Sequence, residues 1–292
     1  MPKPKYLLLD YVPNNAISVK YYEISHFTNP LHYHKELELA YIIEGTGTRY
    51  VGSSINPYKK GDLVLVGQEL THVWIGDDAF YEENTNLLTK AIVIKFDIDF
   101  AGKDFLLLQE ANAIKNVLKE ADGGLWIKGS INRTICNTMQ NMIKQSPLEQ
   151  IISMIQILNL ISKSKDVHIL SSYDFHKSNN PKEKDRMNEI VQYTMLQFKQ
   201  SITLEEISQV ANLSKSGFCR YFKSSMKKSY TEFLYEIRVQ YACKLILEKE
   251  LGITQICYEA GFNNPSAFSQ IFKRLKGVSP NNYRKGKSNK YL

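Results

Sequence analysis

The sequence lacks the features of a disulfide-rich, secreted or membrane-spanning protein. It has four cysteines in 292 residues, and no two of them form a CxxC pair. No uninterrupted apolar stretch reaches about 18 residues, and the N-terminus carries no positively charged segment that leads into an apolar core. Since the cysteines mostly lie within apolar helical patterns, we predict free, buried thiols in a cytoplasmic protein without membrane contact.

Charge is distributed unevenly along the chain. The formal net charge is +7, yet residues 182–292 contain 19 Lys and Arg against 10 Asp and Glu, whereas residues 1–181 contain 18 against 20. A basic C-terminal third suits a polyanionic partner, because neutralising phosphates releases counterions. A solvated basic surface is the alternative explanation. The length and the 43% hydrophobic content allow two domains, each with its own core.

The first hundred residues show the pattern of short strands joined by turns. Side chains alternate with period two from Leu37 to Ile43, and Gly45 and Gly61 mark turns. Further strands are expected over three stretches: Thr48–Val51, Leu63–Val66 and Ala91–Phe96. Many short strands with regular turns favour a small β-barrel or β-sandwich.

From Phe105 onward the apolar period lengthens to that of helices. Three helices are expected, and the third follows Pro147 with a strong apolar stripe at i, i+3 and i+4 spacing. Such a stripe usually packs within its own domain, and part of it is a candidate homodimer interface. Residues 166–184 are rich in Ser, Lys and Asn, so we expect a linker there between domains over residues 1–165 and 185–287.

Two stretches near the C-terminus repeat one helical pattern fifty residues apart. Each has phenylalanines at positions i and i+4 followed by a lysine: Phe218, Phe222 and Lys223, then Phe268, Phe272 and Lys273. This spacing gives a short helix one apolar ridge and leaves polar residues on the opposite side. Each stretch follows a short amphipathic helix and a tight break, which is the order of a helix-turn-helix. Two such units on one chain suggest DNA binding.

Capping signals define the helix starts in this region. Thr203 and Glu206 have the spacing of a capping box, and so do Ser229 and Glu232. A long helix over residues 230–249 is therefore expected to connect the two units. Twenty helical residues span about 30 Å, close to the ~34 Å between successive major-groove faces of B-DNA. One chain can thus place two unlike helices in adjacent major grooves and bind an asymmetric site.

A long series of residues in this region has the spacing of one family signature. The series comprises Phe218, Arg220, Phe222, Lys223, Ser229, Phe233, Arg238, Ala242, Leu245, Gly261, Phe262, Phe268, Phe272, Lys273, Gly277, Ser279, Pro280, Tyr283 and Arg284. With it, residues 186–285 resemble the DNA-binding domain of the AraC/XylS family of bacterial transcription regulators. Lys227 and Tyr230 depart from the Gly and Pro that are common there. Ser208 and Cys257 stand where a small Ala is usual.

This resemblance implies which side chains meet DNA. Base edges are expected to be met by Ser216, Cys219 and Arg220 in the first unit and by Ser266, Ser269 and Gln270 in the second. Arg220 suits guanine and Gln270 suits adenine, since both can form bidentate pairs. Phosphate is expected to be met by Lys215, Lys223, Lys273 and Arg274, and the helix-starting Ser214 and Asn264 complete the DNA-binding set. Ordinary solvation is the alternative for each cation.

The N-terminal half carries a second resemblance. His32, His34 and Glu38, followed by Gly45, resemble the first HxHxxxE…G motif of the cupin barrel. His72 falls at the ligand position of a weaker second motif. In metal-binding cupins these four positions (His32, His34, Glu38 and His72) would surround one divalent ion.

Three uses of this cupin-like site stay open. We favour a cavity for a small-molecule effector, lined by the same residues and Trp74, over a bound metal, so no metal cofactor is expected. Tyr41 has the opposite strand parity and joins the lining only if a bulge intervenes. A filled apolar core that only transmits dimerisation is the third possibility.

Together the resemblances imply an α+β multidomain transcription regulator. A cupin-like β-barrel with flanking helices would precede an all-α domain with two helix-turn-helix units. Promoter DNA, RNA polymerase, a small-molecule effector and a second copy of the chain are the expected partners, and activation is commoner in this family than repression. Two alternatives remain: a metal-dependent cupin enzyme fused to a DNA-binding module, and an architectural DNA-binding protein without sequence preference.

Overall fold

The chain forms two compact units that are described separately. The computed structural model describes residues 5–6, 16–29, 31–82, 85–171, 181–248 and 250–288. The first unit comprises residues 1–52 and 57–176, and the second comprises residues 53–56 and 177–292. Within the described residues, no helix has both the length and the apolar character that a bilayer crossing requires.

The described residues form two β-sheets. The strands are β1 (Lys5–Tyr6), β2 (Ile17–Ile24), β3 (His32–Tyr33), β4 (Leu37–Glu44), β5 (Gly47–Val51), β6 (Ser54–Tyr58), β7 (Leu63–Val66), β8 (His72–Gly76), β9 (Thr89–Phe96), β10 (Leu125–Ile127) and β11 (Val167–Ile169). One sheet has the order β1-β3-β8-β5-β6 and the other the order β11-β10-β7-β4-β9-β2. The second sheet is antiparallel throughout.

The six-stranded sheet is built from strands whose residues alternate between two faces. Leu39 of β4 lies opposite Leu65 of β7 and Ile94 of β9, so apolar side chains form rows on one face. This face packs against three helices, α1 (Asn112–Glu120), α2 (Gly129–Met142) and α3 (Pro147–Ser162), and forms the main core of the first unit. Glu38, Ala40 and Lys95 have the opposite parity and lie on the other face.

The second unit is helical. Its helices are α4 (Pro181–Gln197), α5 (Leu204–Val210), α6 (Lys215–Met226), α7 (Tyr230–Glu248), α8 (Ile253–Glu259), α9 (Pro265–Lys276) and α10 (Pro280–Ser288). Helix α7 contacts α6, α8, α9 and α10. Its side chains are buried on several sides, as expected for a helix at the centre of a domain; Phe233, Ile237, Val239 and Ala242 are among the fully buried ones.

Local sequence signals explain where these helices begin and end. Thr203 caps α5, since its hydroxyl accepts a hydrogen bond from the Glu206 N–H while the Glu206 carboxylate accepts one from the Thr203 N–H. Lys227 is the C-cap of α6 and Gly277 is the C-cap of α9, and both are in the left-handed conformation, with φ of 57° and 76°. The same C-terminal cap therefore closes both helices, although only the second has the glycine that this conformation favours.

The predicted fold class is confirmed. Mainly antiparallel sheets, in which β1 and β3 are paired in parallel, make up the N-terminal region, and the C-terminal region is helical with two helix-turn-helix units. Helix α7 starts at the predicted residue 230. Helix α10 has nine residues and begins at Pro280, whose fixed φ suits the first helical position.

Other expectations need correction or fall partly outside the described residues. Within the stretch predicted as a linker, Val167–Ile169 pairs with β10 and Pro181 starts α4, while residues 172–180 lie outside the described residues. The cysteines are free and three are buried, but Cys219 is exposed on α6. The expectation of a buried thiol is therefore wrong for Cys219, whose exposure agrees with its place among the residues expected to meet DNA.

Candidate functional site

The first helix-turn-helix is formed by α5, a tight turn and α6. Asn212 adopts a left-handed conformation with φ of 51°, and the Leu213 N–H donates to the Ser208 carbonyl at 2.9 Å. Ser214 then caps α6, because its hydroxyl accepts from the Gly217 N–H at 3.2 Å. Ser208 is buried, as a small residue packed between helices must be.

Helix α6 has one buried face and one exposed face. Phe218 and Phe222 are fully buried, and their rings lie 5.5 and 5.4 Å from the ring of Tyr230 on α7. Tyr230 stands where a Pro is common in the AraC/XylS family, and its ring packs with those of Phe218 and Phe222. The residues expected to meet DNA in the first helix-turn-helix are exposed: Ser214, Lys215, Ser216, Cys219, Arg220 and Lys223.

Lys215 has an acidic partner that the sequence pattern did not reveal. Its ammonium forms an ion pair with the carboxylate of Glu205 on α5, and both side chains are more than half exposed. Exposed ion pairs contribute little to stability. The main effect of this pair is therefore that the Lys215 ammonium is partly neutralised by Glu205 before it can meet another anion. Arg220 and Lys223 are exposed, and the described contacts give neither an ion pair.

The second helix-turn-helix is formed by α8, a tight turn and α9. Gly261 has φ of +84°, and a Cβ at this position would lie 2.6 Å from the Phe198 carbonyl oxygen, so only glycine fits. Asn264 caps α9 by accepting hydrogen bonds from the Ser266 and Ala267 N–H groups at 2.8 and 3.1 Å. Pro265 occupies the first helical position, which suits its fixed φ.

Helix α9 repeats the division of faces seen in α6. Phe268 and Phe272 are fully buried, and Phe268 packs on Phe262 with ring centroids 5.1 Å apart. Of the residues expected to meet DNA in this unit, Asn264, Ser266, Gln270, Lys273 and Arg274 are exposed and Ser269 is partly buried. The structure thus places ten of the twelve predicted DNA-binding residues on α6 and α9 and the other two, Ser214 and Asn264, at the N-caps of these helices; all except Ser269 are exposed.

Helix α7 links the two helix-turn-helix units of the C-terminal region electrostatically as well as by packing. Glu232 in its first turn accepts hydrogen bonds from the N–H and the hydroxyl of Ser229, which lower the pKa of the Glu232 carboxyl. The charges of Arg274 on α9 and Lys223 on α6 lower it further. One cation from each recognition helix therefore acts on the same carboxylate.

A second candidate site joins the two sheets of the first unit. Its five side chains are His32 of β3, His34 just after β3, His72 of β8, Glu38 of β4 and Lys95 of β9. The ring centroid of His72 lies 4.4 Å from that of His32 and 5.0 Å from that of His34. All three histidines are at most 4% exposed. The residues of the cupin-like motif are therefore brought together.

Hydrogen bonds to backbone carbonyls orient two of these imidazoles. Nδ1 of His34 lies 3.0 Å from the Glu36 carbonyl oxygen, and Nδ1 of His72 lies 2.7 Å from that of Leu70. Since a carbonyl oxygen only accepts, both Nδ1 atoms carry the proton, and in the neutral rings Nε2 is the lone-pair nitrogen. Nε2 of His34 lies 3.2 Å and Nε2 of His72 3.7 Å from the same oxygen of Glu38.

Lys95 belongs to this cluster, although no sequence motif included it. It lies directly opposite Glu38 in the β4–β9 register. Its Nζ is 3.1 Å from Oε2 of Glu38 and 3.2 Å from Nε2 of His34. Burial is the largest influence on the pKa of His34 and lowers it, whereas the hydrogen bond with Glu38 raises it. Burial alone would raise the pKa of Glu38, but the neighbouring His72, His34 and Lys95 hold it well below the usual range.

The cluster does not fit a divalent metal ion. The donor atoms of His32, His34 and His72 all lie within 4.8 Å of one another, a spread that permits a shared ligand. However, the Lys95 ammonium already lies within hydrogen-bond distance of two of the four cupin-motif residues, His34 and Glu38. A metal bound about 2.1 Å from those atoms would be placed next to a fixed positive charge.

The two aromatic residues expected near this cluster have different outcomes. Trp74 is buried on β8 with its ring 5.8 Å from that of His72. Tyr41 lies on the other face of β4, within the core formed with the helices, so its placement in the effector pocket was wrong. The bulge that could have rotated it comes later in the strand, between Ile42 and Glu44.

Comparisons with known proteins agree with the geometry of the second unit. Residues 207–286 match the helix-turn-helix domain family. An uncharacterized HTH-type transcriptional regulator of Bacillus subtilis, YdeC, is 32% identical over 100 residues, which are 34% of this chain and 34% of YdeC. The chain thus spans about a third of the length of that relative.

Two further similarities extend over most of the chain at low identity. The Msm operon regulatory protein of Streptococcus mutans is 21% identical over 250 residues, 84% of this chain and 82% of the relative. The solved structure of unsaturated fatty acid bound ToxT from Vibrio cholerae covers 93% of this chain and 95% of its own, at 15% identity and a TM-score of 0.37.

Proposed function

We propose that this protein is a transcription regulator of the AraC/XylS type that inserts α6 and α9 into adjacent major grooves of promoter DNA; the match of residues 207–286 to the helix-turn-helix domain family supports the proposal. One observation carries the proposal: both helices bury a phenylalanine pair and expose polar and cationic residues on the other side. The 19 residues of α7 span about 28 Å, close to the ~34 Å groove repeat.

The exposed residues divide into two groups by chemistry. Base edges would be met by Ser216, Cys219, Arg220, Ser266, Ser269 and Gln270. Phosphates would be met by Lys215, Lys223, Lys273 and Arg274, with the helix starts at Ser214 and Asn264 beside them, where N-terminal amides favour an anion. Because the two helices differ in sequence, one chain would bind an asymmetric site.

A binding experiment with the full chain tests this function. Sites mapped in the native host supply the promoter fragments, and fluorescence anisotropy compares each with random DNA of equal length. We expect an affinity ratio of about 10³ or more at fixed salt, and a steep loss of affinity as salt rises. Equal affinity for both DNAs would indicate an architectural protein instead, and a flat salt response would argue against phosphate contacts.

For the first unit we propose a role in sensing a small-molecule effector. The supporting observation is a set of buried polar side chains between the two sheets: His32, His34, His72, Glu38 and Trp74. The Trp74 Nε1 is buried without a hydrogen-bond partner, as expected of a group that a ligand or water would satisfy. Binding would shift the population of a DNA-competent state. An effector that raises the melting temperature of the wild type but not of Trp74→Ala would support this role.

We further propose that the first unit forms a homodimer through α3. Leu148 and Ile152 lie one turn apart on this helix and are 67% and 48% exposed, and Ile143 just before it is 43% exposed. Exposed apolar side chains that share a face are typical of an interaction surface. A second copy is the occupant that a symmetric self-contact would provide.

The remaining roles follow from the DNA-binding proposal. Contact with RNA polymerase and transcriptional activation in the cytoplasm are the expected outputs. No catalytic activity is proposed, because a metal-dependent cupin enzyme would need the cation position that the Lys95 ammonium approaches. A promoter-reporter assay in the native host would establish the direction of regulation.

A further inference from the structure

We infer that Lys95 takes the place of the divalent cation of a cupin metal site, so that the histidine cluster excludes metal ions in the native protein. The inference concerns the first unit alone and does not depend on DNA binding. It rests on the position of one ammonium group among ligands that otherwise suit a metal.

The geometry around Lys95 is that of a cation shared by two acceptors. Its Nζ, Oε2 of Glu38 and Nε2 of His34 form a nearly equilateral triangle with sides of 3.1, 3.2 and 3.2 Å. A carboxylate oxygen and a lone-pair nitrogen at that separation repel each other unless a proton or a cation lies beside both. Lys95 provides that cation by donating a hydrogen bond to each.

The backbone fixes the arrangement from two directions. Lys95 and Glu38 are paired across adjacent strands, so the register of β4 and β9 brings the ammonium to the carboxylate. The carbonyls of Glu36 and Leu70 hold the Nδ1–H groups of His34 and His72, which leaves Nε2 of each ring directed towards Glu38. Such second contacts are what orient histidine ligands in metal sites.

Lys95 and a metal ion are therefore mutually exclusive. An ion about 2.1 Å from both Nε2 of His34 and Oε2 of Glu38 would lie within ~4 Å of the ammonium, unless the lysine moved away. The repulsion between a divalent ion and a lysine charge at that distance is strong in a buried site. Removing the charge while keeping an apolar chain of similar length should expose a set of ligands that suits zinc.

Zinc binding to the full chain tests the inference. The wild type, Lys95→Met, Lys95→Arg and Lys90→Met are dialysed against ZnCl2, and bound zinc is measured per chain. Lys90 is the matched control, because it lies on the same strand but pairs with Glu23 and Glu44 at a partly exposed position. We expect about one zinc in Lys95→Met, with affinity about 100-fold or more above the wild type. Wild type, Lys95→Arg and Lys90→Met should all lack this zinc.

A second substitution assigns the bound ion to the cluster. His34→Ala in the Lys95→Met background should abolish the gained zinc, whereas zinc held by the exposed Cys219 would persist. Stoichiometric zinc in the wild type that His34→Ala removes would overturn the inference, and so would a folded Lys95→Met protein that gains none. If Lys95→Met does not fold, bound zinc is compared between the wild type and His34→Ala. Zinc that is present in the wild type and lost in His34→Ala overturns the inference, and a wild type without zinc supports it.

Discussion

The rings of Phe218 and Phe222 lie 5.6 Å apart, and the rings of Phe268 and Phe272 lie at the same separation fifty residues later. All four are fully buried. The spacing of the pair is a property of the helix, since i and i+4 side chains are neighbours on one face. Each pair fixes the rotation of its helix, and this rotation decides which polar residues are available to DNA.

Loss of one ring from either pair should destabilise the second unit. For Phe218→Ala and for Phe268→Ala we expect a loss of about 3–5 kcal/mol in the free energy of unfolding, because each leaves a cavity in a closed core. Urea unfolding followed by circular dichroism measures the change. Leu196→Ala is the control: Leu196 is 55% exposed in the same unit and should change stability by less than about 0.5 kcal/mol. Equal effects at buried and exposed positions would contradict the packing described above.

Lys227 and Gly277 offer a comparison of one backbone conformation with two residue types. Both end a recognition helix with positive φ, and a side chain in that conformation costs about 1 kcal/mol. Lys227→Gly should therefore be neutral or stabilising, whereas Gly277→Ala should destabilise. Thermal unfolding of both variants shows whether each substitution raises or lowers the melting temperature. A destabilised Lys227→Gly would mean that the hydrogen bond from Lys227 Nζ to the Ser224 carbonyl outweighs the backbone cost.

Arg220 should control the base preference of the first helix-turn-helix. Arg220→Ala is expected to relax selection at one position of the binding site by about 1–3 kcal/mol, without a change in melting temperature. Selection from a randomised DNA library measures this. Lys223→Ala is the contrasting variant, since loss of a phosphate contact should weaken binding to all sequences alike and reduce the salt slope by about one. An unchanged preference in Arg220→Ala would exclude this residue from direct base contact.

Glu205 should restrain the contribution of Lys215 to DNA binding. In the wild type the two side chains pair across α5 and α6. Glu205→Gln should raise DNA affinity and steepen its salt dependence, because it removes a negative charge near the DNA and releases the lysine. Lys215→Ala should then cost more affinity in the Glu205→Gln background than in the wild type. Identical costs in the two backgrounds would show that the ion pair does not compete with DNA.

The exposed start of α3 should carry self-association. Ile152→Asp is expected to shift a dimer towards monomer, because it places a charge in an apolar contact. Analytical ultracentrifugation of the full chain measures the change. Leu107→Asp is the control, since Leu107 is 73% exposed outside this helix and should leave the oligomeric state unaltered. A wild type that stays monomeric at high concentration would remove the dimer proposal altogether.

Much of the second unit could be predicted from its sequence because its determinants are local. The capping residues Thr203 and Glu206 are three positions apart, and the spacing within each phenylalanine pair is four. These signals specify helix starts and buried faces without reference to the rest of the chain. The pairing of Lys215 with Glu205 was missed, because it depends on how the turn at Asn212 positions two helices.

In the first unit, more of the structure depends on contacts between residues far apart in the chain. The cupin-like motif brought His32, His34 and Glu38 together, although His32 and Glu38 lie on strands of different sheets. Period-two alternation gave Tyr41 the opposite parity to Glu38. The proposed bulge that would have returned Tyr41 to the pocket has no local signature, and in the structure the irregularity follows that residue. Strand register cannot be determined from one sequence, so Lys95 gave no sign that it lies opposite Glu38.

The sequence by itself determined the two helix-turn-helix units, their buried phenylalanines and the residues on their outer faces, because helical periodicity and capping act over three or four residues. Only the tertiary structure decided which charges meet. The Lys95 ammonium reaches His34 and Glu38 because strands β4 and β9 are paired in one register, which places Lys95 opposite Glu38 although the two are more than fifty residues apart in the chain. That long-range pairing is what separates a metal-binding cluster from one that already contains its own cation.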